Sequence, residues 1–253
     1  MSLSPLNAIS PVDGRYSKQT EALAPYFSES ALIRYRILVE VKYFIALSAI
    51  PLPALKQLNG SAVKTLEKLY TEFQSGYAEQ VKKIEQVTNH DVKAIEYFIK
   101  ESAGEELKEC AEFIHFGLTS QDINNTAIPL SIKEALHDVL IPELQSVRNI
   151  LATLAVQWRE IPLLARTHGQ PASPTGLGKE IAVFVNRLDV QLSQLLLIPV
   201  PAKFGGATGN FNAHYAAYPS IDWEQFADSF VTSLGLKRSR ITTQIEHYDN
   251  LAA

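Results

Sequence analysis

Apolar positions recur at helical spacing along most of the chain. Residues 30–48 (SALIRYRILVEVKYFIALS) are apolar on nearly every face, interrupted only by Arg34, Arg36, Glu40 and Lys42. A helix of that kind is expected among other elements rather than on a surface. Pro51 and Pro53 end it. Val63, Leu66, Leu69, Tyr70 and Phe73 mark a shorter amphipathic helix, and Val92, Ile95 and Ile99 a third that follows Asn89.

The most regular pattern lies between 120 and 160, where Leu136, Leu140, Leu144, Val147, Leu151, Leu154 and Trp158 recur every three or four residues. That spacing suits helices packed side by side at a shallow angle. Pro129 and Pro142 lie in or near this segment and are expected to kink it or mark its turns. A second long helix is predicted from about 176 to 198, with Leu177, Ile181, Phe184, Leu188, Leu192 and Leu195 on one face. Long parallel seams of this sort predict an all-α bundle, in which such seams often continue between subunits. No strand alternation of useful length is found. Residues 166–176 and 203–219, rich in Gly, Pro and Asn, read as loops. A domain boundary is expected near 102–110, dividing the chain into an N-terminal helical domain, 1–110, and a central helical-bundle domain, 111–253.

Composition narrows the class. The 253 residues are 46% hydrophobic and 20% charged, as in an ordinary soluble globular protein. The formal charge of −4 argues against nucleic-acid binding by bulk electrostatics, which needs a basic surface. Cys110 is the single cysteine, so an intramolecular disulfide and a thiolate metal centre are excluded. The first residues lack the basic and apolar parts of a signal peptide, and no apolar run reaches the roughly 18 residues of a membrane span. A cytoplasmic protein is expected.

The polar residues that stand out gather at predicted helix starts and loops. Thr88-Asn89-His90-Asp91 opens a helix. Asn89 or Asp91 there is either a plain cap or part of an anion site at the positive helix end, with His90 as a further donor. His90-Asp91 also admits a metal reading, with His115 and His137 as further ligands, though their spacing specifies nothing. Thr119-Ser120-Gln121-Asp122 fits a capping box, and its hydroxyls would equally suit a carboxylate or phosphate. His115, in the loop just before it, reads as structural. His168, in Arg166-Thr-His-Gly-Gln-Pro171, lies off every apolar stripe and is a candidate proton donor or acceptor. Gly205-Gly-Ala-Thr-Gly-Asn lacks the spacing of a dinucleotide cradle and reads as a tight turn or a close backbone approach to a substrate.

In their order, Ser10-Pro-Val-Asp-Gly-Arg-Tyr16, Thr88-Asn-His-Asp91, Glu112-Phe-Ile-His-Phe116 with Thr119-Ser120 and Asp122, Arg166-Thr-His-Gly-Gln-Pro171 and Thr242-Thr-Gln-Ile245 resemble the adenylosuccinate lyases of the fumarase/aspartase superfamily. The resemblance runs over essentially the whole chain. It implies the fold of that superfamily, a small helical domain followed by the first part of a long-helix bundle. It also implies a β-elimination that releases fumarate from adenylosuccinate, giving AMP, and from the succinyl-carboxamide ribotide of purine synthesis, without cofactor or metal. By the same resemblance His168 is the general acid for the departing nitrogen. Arg15 and Tyr16 contact the nucleotide; Asn89, His90 and Asp91 orient the substrate; Thr119 and Ser120 donate to the succinyl carboxylate; and Gln244 makes a further substrate contact.

Family members assemble as homotetramers with sites shared between subunits. They also continue into a Gly-Ser-Ser-x-Met-Pro-x-Lys-x-Asn-Pro loop whose serine is the base. Since that loop does not occur in these residues, the chain is expected to carry the acid side of the site and to be inactive alone. Three other readings stand beside this one: another fumarate-releasing lyase of the superfamily, a metal-dependent helical phosphohydrolase built on His90-Asp91, and a purely structural bundle.

Overall fold

In a computed structural model, which describes residues 5–104 and 107–253, the chain is mostly helical and packs as two compact units. One comprises the residues up to Lys133 together with Val200–Ala253; the other is Glu134–Pro199. Neither boundary falls at the expected 102–110 segment, of which residues 105 and 106 lie outside the described residues.

In the first unit two short helices, α1 (Ser17–Thr20) and α2 (Ala24–Phe27), precede α3 (Glu29–Ser48), the predicted buried helix. Ser28 starts α3 by accepting the Ala31 N–H on its hydroxyl at 3.1 Å. Burial extends round the whole helix and takes in Arg36 and Glu40 with the apolar residues. Against α3 pack α4 (Gly60–Thr71), α5 (Ser75–Thr88) and α6 (Asp91–Ser102). The core they share runs on through α7 (Ser120–Ala135), where Ile123, Ala127 and Leu130 are buried.

The second unit begins within the same continuous helix as α7. Leu136–Leu140 forms a π turn, and α8 (Ile141–Gln157) follows. Pro142 has no N–H to give and its ring crowds the preceding turn, which accounts for a widened turn just before it. The helix therefore passes both prolines without a break. By length and composition Ser120–Gln157 is long and apolar enough to cross a membrane, although polar residues interrupt its apolar positions. Its Arg148 makes a two-pronged ion pair at 2.8 Å with Asp189 of α9 (Leu177–Leu197), as a helix of a protein bundle would. A Cβ on Gly178 would stand 2.3 Å from the Ala155 carbonyl, so glycine is what lets the start of α9 lie against α8.

Between those helices the expected loop is a β-hairpin. β1 (Pro162–Thr167) and β2 (Gln170–Gly176) pair antiparallel, Thr167 opposite Gln170, with an irregularity between Leu164 and Arg166. Pro171, Pro174 and that irregularity break the alternation by which a strand is recognised in sequence.

Back in the first unit, a second small sheet pairs β3 (Pro201–Ala202) in parallel with β4 (Lys237–Arg238). The expected 203–219 loop includes a short helix, α10 (Asn212–Ala217), and the chain continues through α11 (Trp223–Ser233) to α12 (Asp249–Ala252). Tyr43, Phe204, Phe226 and Phe230 pack ring on ring, and Trp223 joins them to Phe116 and His214. Phe116 of this cluster lies in the loop just before α7.

Candidate active site

Three of the sequence motifs are tied to the first two turns of α7, each through a different residue. Asp122 is fully buried and forms the carboxylate half of the predicted capping box. Its Oδ2 accepts the Thr119 N–H at 2.8 Å. Its Oδ1 accepts from the buried Lys203 ammonium and the Gly205 N–H, both at 2.8 Å, and from the Gly206 N–H at 3.1 Å. The Lys203 ammonium also donates to the Gly206 carbonyl. One carboxylate thereby holds the Gly-rich loop against the helix start that carries Thr119 and Ser120. Farther along the loop, a Cβ on Gly209, whose φ is +81°, would lie 2.5 Å from the Thr242 carbonyl. Glycine permits this close approach, which sets the Thr242–Ile245 motif beside the loop. The loop serves as packing between two motifs.

Asn124 supplies the second tie. Its side-chain oxygen accepts from Nε of buried Arg36 at 2.8 Å, and Nη2 of the same guanidinium donates to Asp91 Oδ2 at 2.7 Å. Burial pushes the Asp91 carboxyl up, but Arg36 and the Val92 N–H outweigh it and hold the group below the usual carboxylate range. Asn125 supplies the third. It donates to the Gln121 carbonyl and side-chain oxygen, at 2.9 and 2.8 Å, and accepts from the Tyr248 hydroxyl. Tyr248 is fastened in turn by its N–H to the buried Glu246, which also accepts from Ser239. Gln244, exposed, lies just before that anchor.

The Asn89-His90-Asp91 strip divides its duties differently from a simple helix cap. Asn89, at φ +50°, closes α5 in the left-handed conformation. His90 is the N-cap of α6, its Nδ1 accepting the Lys93 N–H at 3.1 Å. That bond assigns the remaining proton to Nε2 on an exposed ring, an outward-facing donor.

His115, expected to be structural, is paired with a buried acid. At φ +65° its Nδ1 lies 2.5 Å from Oε1 of fully buried Glu40. Burial presses this imidazole's pKa down, yet the Glu40 carboxylate prevails and the pKa stands above its ordinary value. Glu40 Oε2 is buried without a partner. His214 is the opposite case. Packed under Gly117, where a Cβ would meet its ring at 2.6 Å, it reaches the Tyr43 hydroxyl at 3.1 Å. Burial, reinforced by Lys203 and only partly opposed by Asp122, pushes it down to about 4. Tyr43 donates to the Phe116 carbonyl at 2.7 Å. Burial, with Asp122 and Glu40 close by, pushes its phenol well above the usual value.

Arg15 and Tyr16 are exposed, and the guanidinium stacks at 4.7 Å on the neighbouring ring beside a shallow cavity of about 420 Å³. No hydrogen bond ties them to the α7 start among the described residues. His168, in the second unit, occupies the tip of the β1–β2 hairpin, exposed. Its φ of +50° and the +75° of Gly169 make a two-residue turn of type I′. Among the described residues no group of three or more His, Cys, Asp or Glu is placed to hold a metal ion. Arg36, Glu40, Lys203 and His214 belong to the network although no sequence motif includes them. Arg36 and Glu40 had one legible signal, charge on a helix apolar all round, whereas Lys203 and His214 sit in a loop and a short helix with no periodicity to read.

A family model described as lyase matches residues 14–253. The chain belongs to the lyase family. Within that family it is 55% identical to the adenylosuccinate lyase of Dictyostelium discoideum, 49% to that of Legionella pneumophila and 46% to that of Escherichia coli. The alignments take in 99 to 100% of this chain and 56% of each relative, so the chain spans a little over half the length of these relatives. Among solved structures, the β-carboxy-cis,cis-muconate cycloisomerase of Acinetobacter calcoaceticus matches with a TM-score of 0.68 at 20% identity, covering 88% of this chain and 50% of that one. A fumarate lyase from Mesorhizobium matches at 0.67 and 22% identity, covering 93% and 52%. At these identities the likeness speaks for the lyase family's helical fold.

Proposed function

We propose that this chain carries part of the active site of an adenylosuccinate lyase, which releases fumarate by β-elimination from adenylosuccinate and from the succinyl-carboxamide ribotide. The observation that carries the reading is the tying of three polar motifs to the first turns of α7. Asp122 holds the helix start with its hydroxyls, Asn124 and Arg36 hold Asp91 beside His90, and Asn125 holds the Gln244 segment. A succinyl group needs several donors converging on two carboxylates, and a helix start with two hydroxyls and further backbone N–H groups supplies them. Identity of 46 to 55% with adenylosuccinate lyases supports the same substrate.

In this reading Thr119 and Ser120 donate to the succinyl carboxylate, while Asn89, His90, Asp91 and Gln244 orient the substrate. Arg15 and Tyr16 take the nucleotide, and His168 protonates the departing nitrogen. An imidazole on an exposed turn is free to exchange that proton with water between turnovers. The division into domains 1–110 and 111–253 belongs to the same proposal, as do a soluble cytoplasmic protein and a homotetramer. The apolar faces of α8 and α9, with Val147, Ile150 and Phe184 more than half exposed, support assembly with further copies.

The test is fumarate release from adenylosuccinate, followed by ultraviolet absorbance, in a form carried on to the full length of the relatives and in the His168→Ala variant of that form. A loss of kcat of at least about a hundredfold is expected from removing a general acid. An unchanged kcat would remove the acid assignment. A preference for a different succinyl compound would transfer the site to another lyase of the superfamily.

A further inference from the structure

We propose that Lys203 determines how strongly the start of α7 holds a doubly charged anion, by cancelling the charge of Asp122 at that same helix start. The inference rests on the reading of Thr119 and Ser120 as the succinyl-binding end.

A carboxylate in the first turn normally stabilises a helix because it lies at the positive end of the backbone dipole. At a helix start that must also receive a dianion, the same carboxylate is a liability. It occupies one of the free N–H groups and opposes every incoming negative charge. Asp122 is such a carboxylate, since its Oδ2 takes the Thr119 N–H. The structure places the compensating charge directly on its other oxygen. Lys203 Nζ lies 2.8 Å from Oδ1, and both side chains are completely buried, so water does not screen the pair.

Three backbone N–H groups, from Thr119, Gly205 and Gly206, already saturate the carboxylate with hydrogen bonds. A neutral amide at position 122 would give up the Thr119 bond but still accept the Gly205 and Gly206 N–H groups with its oxygen and hold the loop. Burying a full ion pair merely to fix a turn is costly relative to neutral groups of the same shape. What the charge adds is a balanced field under Thr119 and Ser120. Lys203 is thus a positioning and specificity-determining residue that acts through Asp122, without touching substrate.

Balance of charge and clamping of the loop predict different orders of affinity. Titration of the protein with succinate and with monomethyl succinate, measured by calorimetry, compares a dianion with a monoanion of similar shape. Lys203→Met exposes the ligand to an uncompensated Asp122. About tenfold is expected to be lost per ligand charge, so about a hundredfold for succinate and about tenfold for the monoester. Adding Asp122→Asn to that variant removes the offending charge, and succinate affinity is expected to return to within about threefold of the starting protein. Asp122→Asn alone leaves Lys203 unopposed and is expected to tighten succinate.

Hydrogen exchange of the Gly205 and Gly206 amides checks in each variant that the loop stays in place. If Lys203→Met and the double variant weaken both ligands alike, Lys203 is only a clamp and the proposal falls. Should Lys203→Met fail to fold, the other two variants decide, and weaker succinate binding by Asp122→Asn, or a loss well beyond threefold in the double variant, overturns it. A starting protein that binds no succinate removes the reading of the α7 end and the inference with it. A protein that binds succinate while the variants do not differ removes the inference alone.

Discussion

The two units use helices of similar apolar content and arrive at opposite conditions. In the first, apolar residues meet one another across α3, α4, α5, α6, α7 and α11, and the charged groups caught inside are matched. Asp122 meets Lys203, Arg36 meets Asp91, and Glu40 meets His115. In the second, Ala135, Gly178 and Val185 are the buried positions, while Val156, Leu196 and Leu197 stand 67, 63 and 82% exposed. Periodicity therefore tells which face of a helix is apolar and nothing about what covers it. The first unit covers its own; the second has apolar faces that its own residues leave uncovered.

That contrast can be broken most directly in the aromatic cluster. Trp223 is fully buried, touches Phe116, His214 and Phe226, and donates its indole N–H to the Tyr218 carbonyl at 3.0 Å. Trp223→Ala is expected to cost about 4 kcal/mol in urea denaturation. A loss below about 1 kcal/mol would mean that the first unit is no better packed than the second.

Next in size is a pH effect confined to the same unit. His214 titrates at about 4 in the fold and near 6.5 when unfolded. Between those values the unfolded chain binds the extra proton, so stability is expected to fall as pH drops from about 6.5 towards 4. The full change is on the order of 3 kcal/mol. His115 acts with the opposite sign. Its raised value contributes stability that is complete below about 6.5 and is lost as pH rises through the folded value. Urea midpoints measured between pH 4.5 and 7 for the protein and for His214→Phe separate the two, since the variant is expected to lose the acid-side slope.

The smallest change in stability is expected in the second unit. Leu196→Gln with Leu197→Gln is expected to alter urea stability by no more than about 0.5 kcal/mol, because neither side chain is covered. The same pair is expected to shift sedimentation towards smaller species. A large loss of stability without a change in size would show that these residues are buried within the chain after all.

How much of this was legible depended on whether the signal was local. The apolar belt predicted over 30–48 is α3, and the seams between 120 and 160 and between 176 and 198 are α7 to α9. Each of these repeats over several turns. Helix α5 escaped notice because Val81 is its one buried residue, too little to write a stripe. The hairpin was hidden because both its faces are largely exposed, so no alternation was imposed, and two prolines interrupt it. At the site, Thr119, Ser120, His90, Asp91 and Gln244 could be named from motifs. The network holding them could not, because Arg36 reaches 55 residues to Asp91 and Lys203 reaches 81 to Asp122. Partners that distant are chosen by packing, and sequence spacing carries no trace of the choice.

The turn that carries His168 has a further consequence, for what the chain can tolerate by insertion and deletion. A two-residue turn has no slack, so the imidazole is set by the register of β1 against β2 rather than by a loop's own folding. One residue gained or lost in either strand would turn the remaining side chains to the opposite face of the ribbon. The irregularity between Leu164 and Arg166 is then part of the aim of the ring, and an indel in this short ribbon is a change of chemistry where elsewhere on the surface it would be a change of length.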